Sequence, residues 1–155
     1  MLADRSLCRS QEARSENGFS LIELLVVCLI IGILTAIAIP SFLSSTSKAS
    51  DAGAKETARS AQVAAEAIAT DNNGSYEKVN STELHNVEGS IVIAKSASKS
   101  YLSAVTSSKN EYSVTAKAPT GDEFTITRNT QGVISRTCAS PVSKRGCMNG
   151  ESSTW

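Results

Sequence analysis

Hydrophobic and polar positions divide this chain into three regions with different rhythms. Residues 24–39 are almost wholly apolar, and no charged side chain occurs between positions 24 and 47. A run of that length approaches a bilayer span and predicts a membrane helix. Pro40 falls inside the helical pattern and predicts a kink, since its ring removes one backbone bond without ending the rhythm. Beyond it, Ala54, Ala58, Ala61, Ala65 and Ile68 recur at alternating spacings of four and three. That is one face of an amphipathic helix over residues 41–70, lined with small side chains that a sheet can approach closely. Asp71, Asn72, Asn73, Gly74 and Ser75 supply turn residues that end it near Thr70.

The third region, 71–155, changes period. Residues 71–90 predict an irregular connection anchored by Tyr76 and Leu84, with His85 in a loop and solvated. Strands are then predicted over 90–95, 101–106, 112–117, 124–128 and 133–137, the first pair from short apolar or alternating runs and the others from period-two alternation. Pro119, Thr120, Gly121 and Asp122 form one turn and Asn129, Thr130, Gln131 and Gly132 the next. Short turns between strands make an antiparallel sheet of three or four strands with one face on a core, and the amphipathic helix is the element that covers it. The predicted fold class is therefore α+β, a long kinked N-terminal helix packed against a C-terminal antiparallel sheet. The tail from Cys138 to Trp155 has no periodicity.

Glu23 disturbs this otherwise simple pattern. It places a carboxylate at the start of the apolar run, where insertion scales put the cost of an acidic side chain at roughly 2.5–3.5 kcal/mol at a bilayer centre. The helix dipole offsets only about 0.3–1 kcal/mol of such a cost. A backbone amine at Phe19 would supply a full opposite charge one helical turn away, and cleavage after Gly18 would create that amine. A plain secretory signal peptide fits less well, because no Ala-x-Ala site follows the apolar run.

The stretch Gly18-Phe19-Ser20-Leu21-Ile22-Glu23-Leu24-Leu25-Val26-Val27, the apolar residues after it and Pro40 at their end closely resemble the N-terminus of type IV pilins and related pseudopilins. The match covers about 25 contiguous residues, in which residue type, order and spacing agree at once. The resemblance implies a leader, residues 1–18, removed by a prepilin peptidase that also methylates the new Phe19 amine. It implies a transmembrane and assembly helix over 19–40, with Glu23 meeting the amine of an adjacent subunit during assembly. The partners implied are further copies of the chain, the peptidase, membrane lipid before assembly, and an assembly platform with its ATPase. Localisation follows: a single-pass protein of the cytoplasmic membrane with its head outside, then a cell-surface pilus used for adhesion, motility or DNA uptake. The alternative is a pseudopilin of a secretion or competence system; a third is a minor or tip protein with a ligand-binding head. The leader departs from the family pattern, since Arg5, Arg9 and Arg14 are balanced by Asp4, Glu12 and Glu16.

That topology sorts the cysteines. Cys8 leaves with the leader, Cys28 lies in the span, and Cys138 and Cys147 share the oxidising side, where a disulfide is expected. Lys and Arg total 15 and Asp and Glu total 15, so bulk charge gives no support to direct nucleic-acid binding. A phosphate loop, a Ser–His–Asp order and a metal-ligand repeat are all missing from the sequence, and His85 is its one histidine. No enzyme, cofactor or metal is expected, and the Asp71, Asn72 and Asn73 cluster reads as turn chemistry in preference to a calcium loop.

Overall fold

A computed structural model describes residues 18–140, Cys147 and residues 152–155. The expected leader up to Asn17, with Cys8, and most of the tail after Ser140 lie outside the described residues. The chain divides into two compact units, one ending at Ile39 and the other running from Pro40 to Trp155.

In the first unit the described residues form the start of helix α1, Leu21–Asp71. The Ser20 carbonyl accepts a 3.2 Å bond from the Leu24 amide, which opens the helix. Every residue of this unit's helix is exposed, with the Leu21 side chain 81% accessible. The Thr35 hydroxyl returns to the Ile31 and Gly32 carbonyls at 2.9 and 3.0 Å, so a polar group in the apolar run is satisfied within its own segment.

The second unit, the head, begins at Pro40, which α1 includes without interruption. The expected stripe is buried: Ala54, Ala58, Ala61, Ala65 and Ile68 all belong to the core. At its C-terminus the Gly74 amide bonds the Ala69 carbonyl at 2.8 Å, and Asn73 and Gly74 both have positive φ. The Asn72 side chain donates to the Ile68 carbonyl at 2.7 Å, so the Asn-rich cluster caps a helix.

Helix α2, Ser81–Val87, lies within the stretch expected to be irregular. Asn80 caps it by accepting the Glu83 amide at 3.0 Å, and Leu84 is its buried anchor. His85 therefore sits on a helix, half-buried, with Nδ1 2.7 Å from the Ile91 carbonyl oxygen, and is not the solvated loop residue expected.

The sheet consists of β1 (Tyr101–Ser107), β2 (Tyr112–Lys117), β3 (Glu123–Arg128), β4 (Ile134–Ala139) and β5 (Ser152–Thr154), antiparallel in that spatial order. Residues 90–95 form no strand, contrary to expectation. Ile91 closes a turn onto Glu88, and the Val92 carbonyl takes one 2.7 Å bond from Leu102. Of these three consecutive branched aliphatics Ile91 is buried and anchors the connection, while Ile93 is exposed. The three-residue β5, which no periodicity announces, pairs with Thr137, Cys138 and Ala139. Tyr112, Val114 and Ala116 of β2 and Phe124 and Ile126 of β3 alternate into the core with the alanine stripe. In the β3–β4 turn Gly132 has φ +83°, a backbone conformation that favours glycine.

Candidate membrane and assembly surface

Gly18 and Phe19 precede α1 in an open segment. A side chain at position 18 would touch nothing within 4 Å, and Phe19 is 75% exposed. Among the described residues nothing shields this peptide bond. Glu23 follows in the first helical turn, exposed and with no side-chain hydrogen bond or ion pair among the described residues. Around and beyond it Leu21, Ile22, Leu24, Leu25 and Leu29 are likewise uncovered. An apolar surface open on every side of a helix is stable only in lipid or against other helices. Cys28 is a free, exposed thiol within that surface.

In the head the structure joins Cys138 of β4 to Cys147, with Cα atoms 5.7 Å apart. Trp155 reinforces the same corner. Its indole nitrogen donates to the Thr137 carbonyl at 2.9 Å, and its ring meets the buried Phe124 ring edge-on at 5.7 Å.

Two polar clusters between α1 and the sheet had no sequence signature. Glu66 of α1 accepts hydrogen bonds from Tyr76 at 2.5 Å and Tyr112 at 3.0 Å. Arg128 stands 3.8 Å from the same carboxylate and 4.9 Å over the Tyr76 ring. Burial, with the Glu66 charge beside them, pushes both phenols above their ordinary range. The second cluster ties Asp51 of α1 to the β2–β3 turn, Thr120 donating to Asp51 Oδ1 at 2.8 Å. Asp51 is 3% exposed, and its Oδ2 meets no hydrogen-bond donor among the described residues. Desolvation raises its pKa, the Thr120 hydrogen bond opposes that, and the neighbouring Asp122 raises it further. Asp122, fully buried, accepts from Ser140 at 2.8 Å. Both clusters pin α1 to the sheet. No group of three or more His, Cys, Asp or Glu side chains among the described residues is arranged to hold a metal.

The apolar run of α1 is long enough to cross a membrane, with mean hydropathy 2.9 and none of it buried. The sequence model for the prokaryotic N-terminal methylation motif matches residues 13–39. This chain carries that motif. Its N-terminal part is also 50% identical, over 54 residues, to the type IV narrow pilus major component PilA5 of Thermus thermophilus. Those residues are 35% of this chain and 46% of that protein, so the chain is type IV pilin-like at its N-terminus and matches less than half the relative's length. No solved structure matches the chain. The motif spans Gly18, Phe19, Glu23 and the exposed apolar surface, and stops one residue before Pro40.

Proposed function

We propose that the chain is a structural subunit of a type IV pilus. It is stored in the cytoplasmic membrane through α1 and polymerises through the same helix into an extracellular filament for adhesion, motility or DNA uptake. The observation that carries this reading is Glu23, without a side-chain partner among the described residues, on the exposed apolar part of α1 inside the matched methylation motif. Lipid solvates that surface before assembly, and neighbouring helices replace lipid afterwards. A prepilin peptidase cuts between Gly18 and Phe19 and methylates Phe19, whose new amine then pairs with Glu23 of an adjacent subunit. The energy for extraction comes from an assembly platform and its ATPase.

Expression in a piliated host, filament purification by shearing, and N-terminal sequencing of the filament protein test this reading. Surface filaments labelled by antibody to the head and beginning at methylated Phe19 support it. A mature chain that starts elsewhere, or that never leaves the membrane in a host assembling its own pili, overturns it.

A further inference from the structure

Asp51 is the first buried residue along α1, at the point where the helix enters the core of the head. Its Oδ1 accepts the Thr120 hydroxyl at 2.8 Å, while its Oδ2 is buried without a hydrogen-bond donor among the described residues. One residue earlier, the Ser50 carbonyl accepts the Ser100 hydroxyl at 3.3 Å, which fixes the same turn of the helix. The β2–β3 turn that carries Thr120 is itself closed by two backbone bonds. The Ala118 amide meets the Asp122 carbonyl at 2.8 Å, and the Gly121 amide meets the Ala118 carbonyl at 2.9 Å. This turn delivers a second acid to the same place. Asp122 is fully buried, accepts the Ser140 hydroxyl at 2.8 Å, and holds its carboxyl within hydrogen-bond reach of Asp51.

Two ionised carboxylates do not settle in that geometry. Both are acceptors only, so side by side in a buried place they repel, and neither can bond the other. Among the described residues the charged groups that bear on Asp51 are Asp122, from the turn, and Lys55, one helical turn further along α1. Lys55 does not neutralise the pair. Its ammonium stands 5.0 Å over the Phe124 ring and 5.8 Å from the Trp155 ring, and it forms no ion pair among the described residues. A calcium ion takes about six or more oxygen ligands, and no third acid joins these two among the described residues. A proton supplies what is missing, one O–H donor between two acceptors.

We propose that Asp51 and Asp122 share one proton, which Asp51 Oδ2 donates to the Asp122 carboxylate, and that this bond latches α1 to the β2–β3 turn. Three hydrogen bonds then close the site: Thr120 to Asp51, Asp51 to Asp122, and Ser140 to Asp122. The two acids carry a single negative charge between them and titrate as a unit. Folding takes up one proton over the range in which the unfolded chain has already lost it. Asp51 titrates above the ordinary carboxylate range, so the latch is closed at acid pH and is lost as pH rises through the raised value. Beyond that value both acids are charged, and their repulsion acts where α1 enters the core.

The test uses the detergent-solubilised full chain carrying Glu23→Gln, so that no carboxyl of the apolar run contributes. Infrared difference spectra against pH should show the C=O stretch of one protonated carboxylic acid persisting above the ordinary carboxylate range. Asp51→Asn should remove that band. Asp122→Asn should remove it as well, because ionised Asp51 then faces an amide donor in place of a like charge. In urea, the folding constant of the parent chain relative to Asp51→Asn should fall about tenfold for each pH unit across the same range. No such band in the parent chain overturns the proposal, and that measurement requires no variant at either acid to fold. A band that survives Asp122→Asn also overturns it, since Asp51 then holds its proton through desolvation alone. Calcium or magnesium that stabilises the parent chain at pH 7 and leaves Asp51→Asn unchanged overturns it in favour of a bound cation.

Discussion

Tyr112 of β2 donates a 3.0 Å hydrogen bond to Glu66 of α1, a residue 46 positions away in sequence. Tyr76 takes the other carboxylate oxygen, and its ring lies 4.9 Å from the Tyr112 ring, tilted by 41°. One helical acid thus closes the helix onto both its own C-terminal connection and the sheet. A half-buried carboxylate in this setting is stabilised by its donors, and they in turn need it.

Removing the acceptor should therefore cost more than removing either donor. Glu66→Ala is expected to destabilise the head by about 2–4 kcal/mol, and Tyr112→Phe by about 1–2 kcal/mol. The double variant should fall short of the sum of the two, with a coupling of about 1 kcal/mol or more. Thermal unfolding of the detergent-solubilised chain measures all three. Strict additivity would mean that Glu66 and Tyr112 act independently.

Asp51 makes the opposite prediction, because its environment favours the uncharged form. A raised folded-state pKa means that stability is lost as pH rises from the ordinary carboxylate range through the raised value. Asp51→Asn keeps an acceptor for Thr120 and adds a donor beside Asp122, so it should stabilise the head by roughly 1 kcal/mol at pH 7. That advantage should vanish as pH falls below the ordinary carboxylate pKa, where Asp51 holds its proton in both folded and unfolded chains. A melting-temperature difference independent of pH would show that ionisation of Asp51 is not what the substitution relieves.

The two clusters also show what sequence patterning can and cannot reach. The alanine stripe and strands β2 and β3 follow from periods of 3.6 and two, because burial of one face imposes those periods on neighbouring residues. Helix α2 is too short to show a period; its signal is Asn80 followed at three residues by Glu83, a capping pattern with a single apolar anchor, Leu84. Ile91, Val92 and Ile93 misled in the other direction, since β-branched residues suit a strand whether or not a partner strand exists. Asp51 with Thr120, and Glu66 with Tyr112 and Arg128, are charges and hydroxyls brought together only by the finished topology. The apolar run of α1 is legible in the sequence, because exposure of this kind acts on contiguous residues and needs no tertiary partner.

The Cys138–Cys147 bond closes a short loop at the edge of β4, so its contribution is mainly to restrict the unfolded chain. Cys138→Ser should lower head stability by about 2–3 kcal/mol and reduce filament yield, while cleavage and membrane insertion stay unchanged. Mass spectrometry of unreduced peptides from surface protein checks the pairing directly, and free thiols at both positions would refute it. Loss of the bond should also loosen Trp155, whose indole hydrogen bond to Thr137 lies one residue from Cys138. Tryptophan fluorescence then reports the same event independently.

Glu23 supplies the prediction that separates assembly from insertion. It stands in the first turn of α1, exposed, with apolar neighbours and no partner among the described residues. If its role were only to complement the helix dipole, replacing it would cost about 0.3–1 kcal/mol and leave every later step unchanged. If it pairs with the Phe19 amine of an adjacent subunit, the pair is desolvated on assembly, and losing one partner strands the other charge in an apolar setting. Glu23→Val should therefore insert at least as well as the wild type, because a charge has been removed from the span. Cleavage after Gly18 should proceed, since that bond and its exposed surroundings are untouched. Filaments should be lost, with mature subunit collecting in the membrane. Glu23→Asp, which keeps the charge but shortens its reach, should retain part of the yield. Quantifying sheared filaments beside membrane-bound mature subunit for both variants decides the matter, and normal filaments from Glu23→Val would reduce Glu23 to a bystander that the helix dipole merely tolerates.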